Sequence, residues 1–169
     1  MTLSKRKLRN YLVVLSLSVL TVIFMAQWLN LKNKERYNMG MNDAQTLAFA
    51  LFSETKDIED AKNIANVIIN RTKRPNRFGS TIEEVIYKPH QFSGVGGNEW
   101  NKVVNGKLTE KEEEIYKQMI QVAYQAVMGK LEDKTDGADH YFNPKIVKPK
   151  WAAKMTKTTE NKNHSYYKE

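Results

Sequence analysis

The chain has no cysteine and only four prolines among its 169 residues. The lack of cysteine excludes a disulfide framework and every metal site built on thiolates. It leaves the compartment open, because an exported domain with a sufficient core folds without cross-links. The sequence also has no internal repeat, no phosphate-binding P-loop and no G-x-S-x-G nucleophile motif. The familiar signatures of nucleotide-binding and serine-hydrolase chemistry are therefore missing.

The body of the chain has little net charge, although the chain as a whole carries +8. Residues 1–36 hold seven basic side chains and one acidic side chain, whereas residues 37–169 hold 20 basic and 18 acidic ones. Binding to nucleic acid needs a concentrated basic face that neutralises phosphates. This distribution argues against nucleic acid as a partner.

One N-terminal segment contains no charged residue at all, from Asn10 to Leu31. Its apolar part is close to the roughly 20 residues that a helix needs to cross a bilayer. Tyr11 and Trp28 lie near its ends, where aromatic rings favour the headgroup region. The run is long for a cleaved signal peptide, and no A-x-A-like site follows it. We therefore predict an uncleaved transmembrane anchor.

The charges beside the anchor indicate its orientation. Four basic residues precede the apolar run and three follow it, and this small excess favours a cytoplasmic N-terminus. We expect a single-pass protein of the inner (cytoplasmic) membrane whose folded domain faces the periplasm or the cell wall. The segments are then a basic flank, an anchor, a linker and one folded domain, at residues 1–10, 11–31, 32–41 and 42–169.

Local signals in the folded domain predict mainly helices. Four helices are expected to begin near residues 42, 57, 81 and 109, and capping boxes mark three of these starts, at Asn42, Thr81 and Thr109. The last helix should end at Gly129 and bury one face, made of Tyr116, Met119, Ile120, Ala123 and Val127. Two pieces rich in strand-forming residues, "DHYFN" and "HSYY", are expected to pair near the C-terminus. The predicted fold class is helix-dominated α+β with a small C-terminal β-sheet.

One acidic residue, Glu54, lies on an apolar helical face. It follows Leu47 and Leu51 at helical spacing, so its carboxyl group projects toward the surface against which they pack. A carboxyl group that is partly withdrawn from water favours its protonated form and can act as a general acid. The alternative is a helix-terminal glutamate that turns to solvent. The pattern by itself does not decide between the two.

The three histidines, His90, His140 and His164, are the remaining candidates for chemistry. Three protein ligands suffice for a catalytic zinc ion. Their spacing matches no short ligand motif such as H-E-x-x-H. We expect no metal and no cofactor.

Four blocks of sequence, in order, resemble the SleB-like cell-wall hydrolases, the spore-cortex-lytic type that also occurs among phage and bacterial envelope enzymes. The blocks are "LFSETKDIEDAKNIANVIINRTK", "TIEEVIYKPHQFSGV", "DGADHYFNPKIVKPKW" and "NHSYY". The resemblance covers residues 44–167. It implies a lysozyme-like domain that cleaves peptidoglycan glycan strands as a muramidase-type lytic transglycosylase, acting as a monomer in cell-wall remodelling or in phage lysis (as an endolysin).

The resemblance also assigns roles to individual residues. Glu54 takes the position of the catalytic glutamate, and Asn70 and Arg71 match the family's "NR" as structural support. The other matched positions are expected to bind substrate: Tyr87, Gln91, Phe92, Ser93, Tyr141, Phe142, Asn143, Trp151, His164 and Tyr166.

Three positions depart from the family pattern. The loop after Glu54 is one residue shorter than the usual "EARGE" form, which leaves the partner of Asp57 open. Asp136 stands where the family usually has glycine, and Tyr166 replaces the more usual phenylalanine. None of these changes removes the glutamate.

The resemblance implies a mechanism with one carboxyl group and no activated water. Glu54 would protonate the oxygen of the β-1,4 bond between N-acetylmuramic acid (MurNAc) and N-acetylglucosamine (GlcNAc), and the product would carry a 1,6-anhydroMurNAc end. Three alternatives stay open. They are a zinc-dependent N-acetylmuramoyl-L-alanine amidase, a membrane-tethered peptidoglycan-binding protein without activity, and a hydrolysing muramidase with Asp57 or Asp60 as its second acid.

Overall fold

Helices come first along the chain and strands come last. The computed structural model describes residues 5–169, and of residues 5–17, 36 and 37 it describes the backbone alone. The helices are α1 (Lys5–Glu54), α2 (Ile58–Thr72), α3 (Pro75–Phe78), α4 (Ile82–Tyr87), α5 (Asn98–Val104) and α6 (Glu110–Val127). A 3₁₀ turn (Lys150–Lys154) lies among the strands β1 (His140–Phe142), β2 (Thr156–Glu160) and β3 (Ser165–Lys168).

The chain divides between Met39 and Gly40 into two compact units. In the first unit, α1 exposes a series of large apolar side chains: Val19, Leu20, Val22, Ile23, Phe24, Met25, Trp28, Leu29 and Leu31. Among the residues that the structure describes, no helix has the length and apolarity that a membrane crossing requires. Residues 11–17 of the predicted anchor lie outside the described side chains, and the anchor stays a prediction.

Helix α1 continues without a break through residues 32–41 and Asn42. The predicted helix start at Asn42 is therefore wrong. A capping side chain acts only where the preceding backbone is not helical, and here the helix is already formed when it reaches Asn42.

The three other predicted helix starts are confirmed by their caps. The side chains of Asp57, Thr81 and Thr109 accept hydrogen bonds from the first-turn N–H groups of α2, α4 and α6. At α6 the carboxylate of Glu112 also accepts from the Thr109 N–H at 2.9 Å, which completes the capping box. Gly129 follows the helix at a φ of +66°, a conformation that glycine adopts without a steric cost.

The core of the second unit lies between the end of α1, α2 and α6. Leu47, Leu51, Ile64, Ile68 and Met119 are fully buried there, and full burial of one such side chain stabilises the fold by about 1.5–3 kcal/mol. On α6 the buried residues are Met119, Val122, Ala123 and Ala126. The predicted face was therefore only partly right, since Tyr116, Ile120 and Val127 pack at the edge of the core.

The sheet has the order β1-β3-β2 with antiparallel pairs throughout. Residues His140 and Phe142 pair with Tyr167 and Ser165, which confirms the predicted pairing of the two C-terminal pieces. Strand β2 and the short helices α3 and α5 were not predicted. The fold is helix-dominated with a small C-terminal antiparallel sheet, as the sequence indicated.

Candidate active site

Helix α1 ends at Glu54, beside a cleft of about 860 Å³. The Thr55 N–H still donates to the Leu51 carbonyl at 3.0 Å, and the backbone then leaves the helix. Asp57 has extended dihedral angles and caps α2. The short "TKD" segment, residues 55–57, is therefore a tight turn between α1 and α2. Glu54 lies directly before this turn.

Both oxygens of the Glu54 carboxylate accept a hydrogen bond. The Gly94 N–H donates to Oε1 at 3.2 Å, and the Tyr141 hydroxyl donates to Oε2 at 3.1 Å. These donors come from the loop after α4 and from β1, so three separate parts of the chain meet at the carboxylate. The arrangement fixes the direction of the carboxyl group while one side of it lines the cleft.

Gly94 lies close to α1 because it has no side chain. A Cβ atom at this position would lie 2.7 Å from Ser53 Oγ, 2.9 Å from Ser53 Cβ and 3.1 Å from Glu54 Oε1. Any larger residue would have to move the loop away from the carboxylate. Gly94 lies near Gly96 and Gly97 in the sequence, and such a run indicates a loop but gives no signal of a close approach to a distant helix.

Tyr141 is the side chain that joins the cleft to the core. Its ring contacts those of Phe92, His164 and Tyr166 at centroid distances of 6.5, 5.1 and 6.0 Å. Burial and, after it, the neighbouring Glu54 carboxylate raise the pKa of Tyr141 well above 10. The phenol therefore stays protonated and remains a hydrogen-bond donor to Glu54.

A second carboxylate, Asp57, also lines the cleft. It pairs with Lys162 and accepts a hydrogen bond from the Asp60 N–H at 3.1 Å. The hydrogen bond from Lys162 and the bond from Asp60 lower the pKa of Asp57. Asp57 is thus held as an anion, and this finding supplies the partner that the sequence left open.

A third carboxylate, Asp60, is 1% exposed and lies away from the cleft surface. It accepts hydrogen bonds from His164 Nδ1, Asn161 Nδ2 and the Tyr166 hydroxyl at 2.7–3.0 Å. Burial alone would raise its pKa, but these donors outweigh burial and lower it to about 2. The role of Asp60 as a second acid is excluded by this burial, because neither sugar nor water reaches it.

The predicted support residues, Asn70 and Arg71, connect α2 to the segment before β1. Asn70 Nδ2 donates to Asp133 Oδ2 at 2.8 Å and to the Ala138 carbonyl at 3.2 Å. Arg71 Nε donates to the Asp139 carbonyl at 2.7 Å, and its guanidinium lies 5.1 Å from the Phe92 ring centroid. Burial lowers the pKa of Arg71. Both side chains hold the backbone that leads into Tyr141.

The predicted substrate-binding residues fall into three groups. The Glu54 cleft is lined by five of them: Ser93, Tyr141, Phe142, Asn143 and His164. A second cavity of about 340 Å³ is lined by Gln91 and Trp151 and shares Tyr141 with the cleft. The remaining three residues are Tyr87, Phe92 and Tyr166.

These three residues do not line either cavity. Phe92 is 6% exposed and belongs to the hydrophobic core, and Tyr166 is fully buried, so neither side chain is open to a substrate in this structure. Tyr87 is exposed and packs edge-on against Trp100 at 5.8 Å. The family pattern located these positions. It could not distinguish an aromatic side chain that stacks on a sugar from one that packs in the hydrophobic core.

Several residues of the cleft were not predicted as site residues. Besides Gly94 and Asp57, they are Ser53, Thr55, Lys56, Ile146, Val147, Lys162 and Asn163. Ser53, Thr55 and Lys56 flank Glu54 in the sequence and could have been found by proximity. Lys162 and Asn163 lie in a polar turn before His164. Nothing in the sequence of such a turn indicates that its side chains line a cleft.

The three histidines do not come together. His164 lines the Glu54 cleft with its Nδ1 on Asp60, whereas His90 and His140 line the second cavity. Within the part of the chain that the structure describes, no group of three or more histidine or acidic residues could hold a metal ion. The zinc amidase alternative therefore has no ligand set among these residues.

Two departures from the family pattern have local structural consequences. Asp136 adopts a φ of +54°, the left-handed conformation in which glycine is favoured. The hydroxyl of Tyr166, absent from phenylalanine, donates to Asp60 Oδ1 at 2.7 Å. The first change adds strain, and the second adds a buried hydrogen bond.

Comparisons with known proteins identify a family for this chain. The cell wall hydrolase family matches residues 56–167, a range that begins just after Glu54. A comparison with curated protein sequences gives no significant match.

Two solved structures are similar over most of their length. The catalytic domain of the Bacillus cereus SleB protein is 25% identical with a TM-score of 0.56, covering 75% of this chain and 90% of that domain. The catalytic domain of the germination-specific lytic transglycosylase SleB from Bacillus anthracis is 26% identical, also with a TM-score of 0.56, covering 75% of this chain and 94% of that domain.

Proposed function

The chain belongs to the cell wall hydrolase family, whose SleB-like members it resembles in fold, and from this premise we propose that it is a lytic transglycosylase. As a member of that family it is a peptidoglycan-cleaving enzyme. The proposal concerns the bond and the product. It assigns cleavage to the β-1,4 bond between MurNAc and GlcNAc, with 1,6-anhydroMurNAc as the new end.

The observation that carries the proposal is the state of the carboxyl groups in the cleft. Among the described residues that line it, Glu54 and Asp57 are the acids, and Asp57 is paired with Lys162. Glu54 has hydrogen-bond donors but no ion pair within the described part of the chain. A site with one available carboxyl group suits a reaction that needs no second acid to activate water.

The proposed mechanism uses Glu54 twice. As an acid it donates its proton to the glycosidic oxygen, and GlcNAc leaves as the alcohol. As a carboxylate it then takes the proton of the muramyl C6 hydroxyl, whose oxygen bonds to C1 and closes the anhydro ring. The Tyr141 hydroxyl and the Gly94 N–H stabilise the carboxylate between the two transfers, because hydrogen bonds to the charged form favour it.

The other predicted residues of the cleft are proposed to bind sugar. Ser93 and Asn143 offer polar groups, and the Phe142 ring offers a face for a sugar ring. Gln91 and Trp151 are proposed to continue this binding surface past Tyr141, in the second cavity.

The test is mass spectrometry of the ends released from purified peptidoglycan. The wild type should give anhydromuropeptides, and the rate of Glu54→Gln should be about 10²–10⁴-fold lower, which is the size of general acid–base catalysis. The matched control is Asp57→Asn, which neutralises the other carboxylate of the cleft and should still give anhydro ends.

Three results would contradict the proposal. Free reducing ends from the wild type would identify a hydrolase, and their loss in Asp57→Asn would make Asp57 the second acid. Release of peptides without glycan cleavage, abolished by a chelator, would identify an amidase. If the protein released no product from purified walls, it would be a peptidoglycan-binding protein without activity.

We also propose that residues 11–31 anchor the chain in the inner membrane, with the folded domain on the periplasmic or cell-wall side. The support for this is the uncharged apolar run in the sequence. The enzyme would then act as a monomer on the wall nearest the membrane, in remodelling or in phage lysis. Protease added outside spheroplasts should digest the folded domain. If the domain were protected from the protease, the orientation would be the opposite of the one proposed.

A further inference from the structure

A groove of about 430 Å³ lies beside the Glu54 cleft and shares Phe142 with it. We propose that this groove binds the acidic peptide that each MurNAc residue carries on its lactyl group. The proposal rests on the proposed function, because it places a glycan in the cleft. It adds a second recognition site, for the peptide, at the same enzyme.

The lining of the groove fits a short peptide. Its walls are small or flat apolar groups, namely Pro144, Pro149, Ala152 and Ala153, together with the rings of Phe142 and Tyr167. Alanine methyl groups of a peptide could pack against such a surface. Lys148, Lys157, Glu160 and Ser165 complete the lining.

The charge around the groove favours a carboxylate. Residues 143–157 contain five lysines and no acidic residue, and without these five the body of the chain would have an excess of acidic side chains. Lys157 pairs with Glu160. In the described part of the chain, the other four lysines have no ion pair and are exposed: Lys145, Lys148, Lys150 and Lys154.

The backbone holds this basic segment in a defined turn. The N–H groups of Ile146 and Val147 both donate to the Asn143 carbonyl at 3.1 Å, and the Lys145 N–H donates to Asn143 Oδ1 at 3.0 Å. The segment is therefore preorganised at the rim of the cleft, where Asn143, Ile146 and Val147 are lining residues. A backbone that is already ordered loses little conformational freedom when a ligand binds beside it.

The position of the groove agrees with the connectivity of the substrate. The peptide leaves MurNAc from the side of the sugar ring, through the lactyl ether. A sugar packed against Phe142 in the cleft would have its peptide close to the groove, because Phe142 lines both. Recognition of the peptide charge by lysine is electrostatic, so it should weaken as salt is added.

The experiment measures affinity with the full-length Glu54→Gln protein, which cannot consume the ligand under the proposed mechanism. The probes are three GlcNAc–MurNAc tetrasaccharides, which carry L-Ala–D-Glu, L-Ala–D-isoglutamine or no peptide. We expect Kd to be about tenfold lower for L-Ala–D-Glu, which has two carboxylates, than for the other two probes, which have one per MurNAc residue, because the additional carboxylate would meet the lysines of this segment. This preference should fall to about twofold at high salt.

The variant combines Lys148→Gln, in the lining of the groove, with Lys145→Gln and Lys150→Gln from the same exposed segment, and it should reduce the preference to about twofold. Its matched control, Lys107→Gln, Lys111→Gln and Lys130→Gln, removes the same charge from exposed lysines that lie outside residues 143–157. The control should keep the tenfold preference. Because all six side chains are exposed, both proteins should melt at the wild-type temperature.

Three outcomes would overturn the inference: equal affinity for the acidic and amidated peptides, equal affinity with and without peptide, or a preference that survives in the groove variant. None of them depends on which bond the enzyme cleaves, because no bond breaks in this assay. Failure of the proposed function would instead be seen in the ends released by the wild type.

Discussion

Glu54 and Asp60 lie on either side of the turn between α1 and α2, and their surroundings differ completely. Glu54 faces the cleft and accepts one hydrogen bond on each oxygen. Asp60 is 1% exposed and accepts from a histidine, an asparagine and a tyrosine. Two acids in one short stretch of sequence thus have different surroundings, which fit the catalytic role proposed for Glu54 and a structural role for Asp60.

The difference shows what separates a catalytic carboxyl group from a structural one. A proton donor must reach its substrate and must change its protonation state during turnover. Asp60 can do neither, because it is enclosed and its donors hold its pKa at about 2. Glu54 is held by fewer donors and stays open on one side, so the contrast lies in access and in the number of donors.

The largest effect is expected for Glu54→Asp, which tests the proposed catalytic role of Glu54. The variant keeps a carboxyl group but withdraws it by one methylene, away from Tyr141 and Gly94. We expect kcat to fall about 100-fold, because a misplacement of about 1 Å can cost that much. Thermal unfolding should be unchanged. Activity near the wild-type level would show that the two donors do not set the position of the acid.

The structural role of Asp60 is tested by Asp60→Asn, which should lower the stability of the fold and leave kcat nearly unchanged. The pKa of Asp60 falls from 3.8 to about 2 on folding, so its charge contributes about 2 kcal/mol to the free energy of unfolding. A lowered pKa gives stability that is present above about pH 4 and is lost as the pH falls through 2.

Urea titrations at neutral pH and across this acidic window measure the effect. The variant should be less stable at pH 7 by about 2 kcal/mol, and it should lose less further stability than the wild type between pH 4 and pH 2. Its kcat per folded molecule should stay within a few-fold of wild type. A loss of kcat as large as that of Glu54→Asp would remove the distinction between the two acids.

The Gly94→Ala variant examines the donor from the loop. The added Cβ would meet Ser53 Cβ at 2.9 Å, so the loop must move and the Gly94 N–H must leave Glu54 Oε1. We expect a fall in kcat of about tenfold, the size of one hydrogen bond to a charged group. Gly40→Ala is the matched control, since its Cβ would make only ordinary contacts of 3.8 and 4.0 Å. Equal kcat values for both variants would contradict this role.

The smallest effect is expected for Tyr166→Phe, which removes one of the donors to Asp60. The ring stays in the core, and a single hydrogen bond contributes about 1 kcal/mol. The free energy of unfolding should fall by that amount while kcat and KM stay the same. Calorimetry measures the free energy of unfolding, and steady-state kinetics measure kcat and KM. A change in KM would indicate that the Tyr166 ring contacts the substrate.

The elements with local signals could be predicted from the sequence. Caps at Asp57, Thr81 and Thr109 depend on residues only three positions away, and all three helices begin where expected. Strand β2, with the sequence "TKTTE", was missed because it contains no apolar residue and therefore shows no alternation of apolar and polar positions. Helix α5 was missed because the glycines before it are typical of a loop, although its Trp100 is buried.

The site could be predicted only in part, for a similar reason. The resemblance to a family located Glu54 and five residues of its cleft. It could not reveal that Gly94 approaches α1, that Lys162 pairs with Asp57, or that Tyr166 is buried. These facts depend on contacts between segments far apart in the sequence, and one sequence carries no record of such contacts.

The hydrogen bonds at the two acids also bear on when the enzyme becomes active during its synthesis. Tyr141 joins Glu54 across 87 positions of sequence, and His164 joins Asp60 across 104. Contacts of this kind form late, after the intervening chain has been made and closed. A ribosome-bound chain therefore carries the acid without its tyrosine donor and without a finished cleft. The surroundings of both acids are therefore complete only after His164 has been synthesised and has packed against Asp60.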